Sequence, residues 1–529
     1  MIPKIDGKRL YKRLPSAPEE NWDVIIIGSG IGGMACGAAL SKKGLKVLIL
    51  EQHYLPGGFT HMFGRHGFTW DTGVHLTGEM APDEIMGKIL NYLTNNEVEM
   101  ISTGNPYETF SFEGDAPYFI PPNTAKYMDS LKKRFPGDHN KIDRYFKLTQ
   151  KVTSQSRLFF AGKLLPLGLD KVLQLFNPGK KFWRKTTAAV MDSLEIRGRL
   201  RQVLTAQWGY YGNRPETSAF AIHGLTQGHF GNGAYYPRGG SVSFARGFLN
   251  QIRRRGGQVY TGAEVDKILI EKKTARGVVL TSGQKLYAPR IISGVGAKNT
   301  VLNLLPEELK TSPWAQRVGG SPSSIPYLCL HLGFKGDITT AGASGSNLWL
   351  LNNQDKSGPY WHTKKKSERP HTLYLSFPSL KDPDHQPGKD LIHTGECVTF
   401  IPWDEVKEWE SSQFGKRDEK YKEWKEEVKE KILQELHLRV PDLMKHMVYA
   451  ELSSPLTAVH FTRAYGGGIY SLGATPERFA TMELRPRTPI KGFYLTGVDV
   501  AGIGVGSAMV GGALTASTIK PSLIRKLLL

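Results

Sequence analysis

Cysteine is scarce in this chain. Cys36, Cys329 and Cys397 are the only three in 529 residues, and none falls in a CxxC spacing. Neither a disulfide framework nor a cysteine zinc site is supported, no metal site is expected, and a reducing compartment is. Long apolar runs are missing as well: nothing approaches the roughly 18 to 20 residues that a membrane span needs. The amino terminus, MIPKIDGKRLYKRLP, is basic but has no apolar centre, so no secretory signal is expected there. Internal repeats are absent. So are G-x-S-x-G, HExxH and P-loop patterns, which leaves hydrolysis and nucleoside-triphosphate chemistry without support.

What is present has an ordinary globular composition, 40% hydrophobic with a mean hydropathy of −0.33. The length exceeds what one hydrophobic core supports, so at least two domains are expected. Charge is less ordinary, at +20. The basic residues are dispersed and no nucleic-acid-binding motif accompanies them, so nucleic acid is not the expected partner. An anionic membrane surface fits better, with peripheral contact from the cytoplasmic side. Residues 157 to 187 are the strongest segment for it, interleaving Phe159, Phe160, Leu164, Leu165, Leu173, Leu175, Phe176 and Trp183 with Lys163, Lys171, Lys180, Lys181, Arg184 and Lys185. That mixture suits a helix lying among headgroups, and equally a core-facing helix. The tail IKPSLIRKLLL reads as a second small anchor or a frayed helix end.

Residues 23 to 51, DVIIIGSGIGGMACGAALSKKGLKVLILE, carry the most information. A short β-branched run, Val24 to Ile27, reads as a buried parallel strand. It enters Gly28-x-Gly30-x-x-Gly33, a small-residue helix from Met34 to Lys42, and a second apolar run, Val47 to Leu50, ending in Glu51. Gly28 permits the tight turn, Gly30 lets backbone approach a pyrophosphate, and Gly33 lets helix and strand pack closely. The pyrophosphate would rest on free amides at the helix N-terminus. Glu51, 23 positions after Gly28, stands where a carboxylate accepts hydrogen bonds from adenosine ribose hydroxyls. The expected unit is a Rossmann-like dinucleotide fold.

Gly57-Gly58, just past the acidic strand end, admits a second close approach to cofactor. At the far end KGFYLTGVDVAGIGVGSAMVGGALTAS gives a strand, Phe493 to Thr496, then Gly497, Asp499 and a glycine- and alanine-rich helix. Both ends together favour FAD. Between them, Gly256-Gly257 precedes strand Val259-Tyr260, and a meander of short strands runs through Val265 to Gly294. Val265 is expected beside the adenine and Gly294 close to the cofactor. The cofactor-contacting set is thus Gly28, Gly30, Ile31, Gly32, Gly33, Glu51, Gln52, Gly57, Gly58, Val265, Gly294, Gly497 and Asp499. No second strand-GxGxxG-helix-acid unit follows, so electrons are expected to come from or go to an external donor or acceptor.

The expected fold is α/β, with a discontinuous FAD-binding domain (21–80, 232–300 and 465–529) and an inserted α+β substrate domain (81–231 and 301–464). Residues 81 to 231 read as helix-rich and aromatic. Four apolar runs, Tyr327 to Leu332, Leu348 to Leu351, Leu373 to Phe377 and Val398 to Ile401, read as a sheet covering the flavin. Trp403 to Leu438 reads as an exposed amphipathic helix rich in Lys and Glu, closed by Pro441. Titratable candidates near the cofactor are His75 with Glu79, and Tyr235, Tyr236 and Arg238. His75 is the first choice of general acid, having a neutral-range side chain just after the turn at Asp71. His223, His229 and His460 are weaker choices.

The PGG and DTGVH block, the YPRGG segment from Tyr236 to Gly240 and the YLTGVD tail together resemble the phytoene desaturase and carotenoid isomerase superfamily. Within it the EQH…GG…H.F….F..DTG.H..G string is most similar to the retinol saturase branch. The resemblance spans about Asn21 to Ile519 and is strongest at the two ends. It implies an amine-oxidase/desaturase-like fold and FAD chemistry on the double bonds of an apolar isoprenoid or polyene lipid, first as saturation, alternatively as desaturation or cis–trans isomerisation. It also implies NAD or NADP as a transient electron partner. A non-redox lipid escort on the same fold is the remaining alternative, and the intact glycine turn with Glu51 argues against it.

Overall fold

The computed structural model describes residues 4–5, 8–166, 179–352, 360–365 and 368–527. Two sheets organise it. The nucleotide sheet is wholly parallel, in the order Phe493–Leu495, Ile291–Ser293, Val24–Ile27, Val47–Glu51, Gln258–Thr261 and Lys12–Arg13. Its four central strands, Ile291–Ser293, Val24–Ile27, Val47–Glu51 and Gln258–Thr261, are buried along their whole length, as continuous apolar runs in a sheet covered on both faces must be. Strands far apart in the chain therefore meet in one sheet. Lys12–Arg13, with buried Leu10 and Tyr11 just before it, extends this body to the amino-terminal side of residue 21.

Helices Ile31–Ser41 and Gly504–Ile519 pack on this sheet with almost no side chain between them. A Cβ on Gly32 would fall 2.4 Å from Gly497 Cα, and one on Gly512 would fall 2.6 Å from Gly32 O. The small residues of the last helix thus allow helix contact, and its first turn is left for other work.

The cover sheet has seven strands, in the order Tyr118–Ile120, Glu108–Phe112, Asn347–Leu351, Thr372–Ser376, His393–Phe400, Tyr327–Phe334 and Met447–Ser453. The four expected runs lie at its centre. Three strands were not anticipated: Met447–Ser453, and two from the stretch read as helix-rich. Glu108–Phe112 alternates buried and half-buried residues over only five positions, too short to stand out among helices.

Period-two alternation gives this sheet two different faces. Leu328, Leu330 and Leu332, with Leu373, Leu375 and Cys397, face a core completed by the helix Glu419–Arg439. That helix is amphipathic as expected but begins later than the charged segment does. Trp403–Glu405 and Lys407–Trp409 are separate single turns, and Asp418 caps the helix by accepting from Tyr421 N at 2.9 Å. Its Tyr421, Trp424, Val428, Ile432 and Leu436 recur at helical spacing and are buried, so only the opposite face is solvated. It stops before Pro441, which opens a four-residue helix of its own.

The proposed lipid-facing segment also looks different in three dimensions. Phe159, at the end of helix His139–Gly162, stacks on Trp183 at 4.0 Å, and Phe159, Phe182 and Trp183 are all buried core. Lys163 is buried too, its Nζ donating to Leu484 O at 2.8 Å and Val500 O at 2.6 Å. Lys181, Arg184 and Lys185 remain exposed. Lys171, Leu173, Leu175 and Phe176 lie outside the described residues. The tail is no free anchor: Leu523 and Leu527 are buried in the core that contains helix Ile31–Ser41. Among the described residues, no helix is long and apolar enough to cross a membrane.

Candidate functional site

A cavity of about 1350 Å³ runs between the two sheets. Ordinary ligand pockets span roughly 300 to 1,000 Å³, so this one has room for a dinucleotide and a second molecule. Every residue of the expected cofactor set lines it except Gly33. Gly33 lies behind the wall, where a Cβ would stand 2.3 Å from Gly28 O, so it sets the strand-to-helix packing. Gly28 makes the turn at φ +90°, which a residue with a Cβ rarely adopts. A Cβ on Gly30 would meet nothing within 4 Å: the space beside it is cavity.

The helix that starts at Ile31 has no side-chain cap, and Met34 N is the first amide bonded back into it, to Gly30 O at 3.0 Å. Its earlier amides and positive dipole end therefore face the cavity, as a diphosphate requires. The helix Gly504–Ile519 begins likewise without a side-chain cap, beside Gly502, Ile503 and Gly504, which also line the cavity. Two uncapped helix ends on one cavity suit an extended dinucleotide such as FAD.

Glu51 ends its strand at the cavity wall. Its Oε2 accepts from Ser29 N at 2.9 Å and Ser29 Oγ at 2.6 Å, and its Oε1 from His53 N at 2.8 Å. Oε1, with one donor, keeps a further lone pair for a ribose hydroxyl. Gln52 reaches across to Phe461 O at 2.6 Å. Asp499 is committed to the protein: Oδ2 accepts from Ala297 N at 2.6 Å and Ser471 Oγ at 2.8 Å, and Oδ1 from Leu472 N at 3.3 Å. It shapes the loop that lines the cavity. Buried Arg478 finishes that loop, donating to the carbonyls of Leu472, Val498 and Gly502.

The titratable candidates separate. His75, Glu79 and His229 line the cavity. His229 accepts from Gly78 N at 2.8 Å and pairs with Glu79 at 3.2 Å. Tyr235, Tyr236, Arg238, His223 and His460 do not line it. Tyr235–Pro237 pairs with Met100–Ser102, and this turns the Tyr236 hydroxyl onto the Asp71 carboxylate, which also accepts from Ser241 N at 3.0 Å. The DTGVH and YPRGG motifs therefore meet through Asp71, as structure rather than as chemistry. Arg238 pairs with Glu99 and Asp384 at the surface, His223 is held between Tyr145 and Tyr211, and His460 stacks on Phe414.

The cover sheet supplies the part that sequence reasoning missed. On its cavity face one line of side chains crosses the strands: Glu108 beside Asn347, Ser376 beside Glu396, then His331 and Glu451. Lys381 Nζ ties the line together, donating to Asn347 Oδ1 at 2.5 Å, Ser376 Oγ at 2.6 Å and the His75 carbonyl at 2.9 Å. The next line is Phe110, Trp349, Tyr374, Val398 and Cys329, largely apolar. Trp349 and Tyr374 lie 4.6 Å apart, with Tyr210 at 5.2 Å from Trp349 and Phe400 and Phe230 nearby on the wall. The chamber opposite the nucleotide cradle is thus an aromatic box backed by a buried polar line.

Burial sets the charges in that line. Glu108 accepts from Trp349 Nε1 at 2.6 Å, Gln207 Nε2 at 3.3 Å and the Tyr210 hydroxyl, yet burial still raises its pKa to about 7. Glu396 rises to about 8 and Asp71 to about 6, in both cases chiefly through burial. Lys381 falls to about 8 by burial, although Glu396 and Glu108 oppose the fall. His75 is lowered to about 3 by burial and then by the Lys381 charge. A free imidazolium at His75 is therefore not the resting acid at neutral pH; the proton behind it sits on Glu396. The signal available in sequence was an acid interrupting an apolar strand, Glu396 in HTGECVTF and Glu108 in YETFSF. Nothing local says which face those acids take.

Comparison with known proteins agrees with this architecture. Residues 31–520 match the family model described as flavin containing amine oxidoreductase. The chain is 32% identical over 515 residues to an all-trans-retinol 13,14-reductase of Danio rerio, covering 92% of this chain and 84% of that protein. It is 25% identical to a prolycopene isomerase of Oncidium hybrid cultivar, covering 90% and 80%. In fold it is similar to the cyclohexylamine oxidase of Brevibacterium oxydans IH-35A, with a TM-score of 0.62 at 18% identity, covering 94% of this chain and all of that one.

Proposed function

The chain belongs to the flavin containing amine oxidoreductase family, and we propose that within it this protein reduces a carbon–carbon double bond of an apolar isoprenoid or polyene lipid, as retinol saturation does. The observation that carries the proposal is the aromatic chamber of Tyr210, Phe230, Trp349, Tyr374 and Phe400, which opens directly onto the two-helix cradle for FAD. Bound FAD would supply two-electron hydride chemistry. The chain's part is to orient the alkene between the rings, exclude water and hold a proton near the chamber. Reduced NAD or NADP is the proposed external donor, binding transiently.

The charge of the protein and the site of lipid entry belong to the same proposal. Exposed Leu158 and Ile85 lie on the cavity rim with exposed Arg157, Lys88 and Lys526. We place the membrane there, with peripheral attachment on the cytoplasmic side. Each basic residue near an anionic surface is worth about 1 kcal/mol.

Mass spectrometry of the product tests the reaction. Incubating the flavin-loaded protein with all-trans-retinol and reduced nicotinamide should give a product two hydrogens heavier. An unchanged mass with a shifted double-bond geometry would replace reduction by isomerisation, and a colourless protein that releases no flavin would remove both. Flotation with phosphatidylserine vesicles tests the surface: binding should weaken with salt and in Leu158→Glu/Ile85→Glu. Insensitivity to both would move the contact elsewhere.

A further inference from the structure

We infer that Glu396 and His75 form a two-step proton relay, in which His75 hands a proton to the lipid and Glu396 replaces it. The inference rests on the proposed reduction of a double bond. His75 Nδ1 lies 3.4 Å from Glu396 Oε2. Both atoms are buried and neither has a hydrogen-bond partner. Two such atoms facing one another cost free energy unless they share a proton. Glu396 Oε1 is fixed by Asp71 N at 3.1 Å, which keeps Oε2 turned to the ring. The His75 side chain is 17% exposed and lines the cavity, so Nε2 is the ring nitrogen not committed to the sheet.

The electrostatics give the proton a direction. Glu396, raised to about 8, carries it at neutral pH, and His75, lowered to about 3, stays a neutral ring. Nδ1 then accepts from the carboxyl while Nε2 bears the hydrogen. In the reductive step one alkene carbon gains a hydride, two electrons and a proton, from flavin already reduced by the external nicotinamide. The π bond breaks and its electron pair takes the Nε2 proton at the neighbouring carbon. Nδ1 takes the Glu396 proton, leaving the ring neutral as its other tautomer. The negative charge ends on the Glu396 carboxylate, in the field of Lys381, and solvent restores the lost proton. No imidazolium is needed, so the low pKa of His75 does not obstruct it.

Groups facing Glu396 come from every neighbouring element. They are Asp71 and His75 from the DTGVH stretch, Lys381 from the turn after Thr372–Ser376, and Cys329 and His331 from the adjacent strand. Tyr236 and Tyr374 also feel its charge. His75 is the catalytic residue, and Glu396 is a positioning and supplying residue that acts through it.

The test uses FAD-loaded protein reduced with dithionite and mixed anaerobically with all-trans-retinol. In Glu396→Gln, flavin reoxidation by the alkene should slow about 100-fold, with KM unchanged and reoxidation by dioxygen at the wild-type rate. His75→Gln should match it. Independently of any substrate, the infrared spectrum of the wild type should show a protonated carboxyl at pH 7. Glu108, raised to about 7, contributes to the same band, so the Glu396 part is the component that persists to about pH 8 and is missing in Glu396→Gln. A wild-type band that loses no component in Glu396→Gln, or a Glu396→Gln variant with the wild-type rate and pH profile, would overturn the relay even if other variants fail to fold. A band present in a protein that never passes electrons to an alkene would instead overturn the reduction, leaving the shared proton in place.

Discussion

The two ends of the cavity recognise their contents in opposite ways. At the nucleotide end the wall is largely backbone, built from Gly28, Gly30, Gly57, Gly58 and Gly497, with open space beside Gly30 and Gly497. At the other end it is side chain, an aromatic box backed by Glu108, Asn347, Ser376 and Glu396. A backbone wall needs consecutive residues, because a turn and a helix end are local objects. A sheet face needs residues from strands hundreds of positions apart. The first kind of site is therefore made of short local runs, each tolerant of little. The second is dispersed and can change one member at a time.

Substitutions at the nucleotide end should separate its packing from its binding. Gly33→Val puts its Cβ against Gly28 O, a clash with backbone that cannot shift cheaply. It should cost about 3 kcal/mol or more, seen as insoluble or flavin-free protein. Gly30→Val meets only open space, so its melting temperature without flavin should match the wild type while visible flavin absorbance is lost. Equal damage from both would mean that Gly30 is a packing position too, and the distinction would fail.

At the chamber end, Glu108→Leu should leave the Trp349 Nε1 and Tyr210 hydroxyl donors without their acceptor, at about 1 to 3 kcal/mol for each stranded group. Denaturant unfolding should show the loss while flavin content stays at the wild-type level. Loss of flavin in this variant would show that the two ends are not independent.

A smaller effect is expected from pH. A carboxyl whose folded pKa is raised binds its proton more tightly in the native state, so its contribution is complete below the ordinary value of 4.5 and is lost as pH rises to about 8 for Glu396 and about 7 for Glu108. His75 and His331, both lowered to about 3, act with the opposite sign, but only below about 6.5. Buried Lys163, lowered well below its ordinary value, opposes the carboxyls and is common to wild type and variant. Between pH 6.5 and 8 the stability difference between wild type and Glu396→Gln should therefore shrink as pH rises. A constant difference would show that Glu396 is already ionised. The smallest effect belongs to the solvated side of helix Glu419–Arg439, where removing the exposed Lys422–Glu419 pair should change stability by less than about 0.5 kcal/mol.

These contrasts also explain what could be read from the chain. The glycine turn, Glu51 and Gly57-Gly58 were legible because each is a run of neighbours whose spacing dictates geometry. The buried state of Phe159, Phe182 and Trp183 was not, because an amphipathic stretch has the same pattern whether its apolar face meets lipid or core. His75 was singled out by its place after a turn, and it lines the cavity. Its relation to Glu396 was not, since the two stand 321 positions apart and meet only once the strand register is set. The Trp403 to Leu438 charge run announced an amphipathic helix, but not that it begins only at Glu419, because the preceding charged residues have the same composition in single turns.

The alternating faces of strand His393–Phe400 have a consequence for heredity. Inserting one codon between Thr394 and Glu396 would rotate the rest of the strand by one face. Glu396 would turn to the leucine side and the polar line would lose its central member, with the nucleotide cradle untouched. Substituting Trp349, Tyr374 or Val398 on the neighbouring line would instead reshape the chamber wall with the register kept. The chamber wall can therefore change by single substitutions, whereas a change of length within a strand disrupts the polar line.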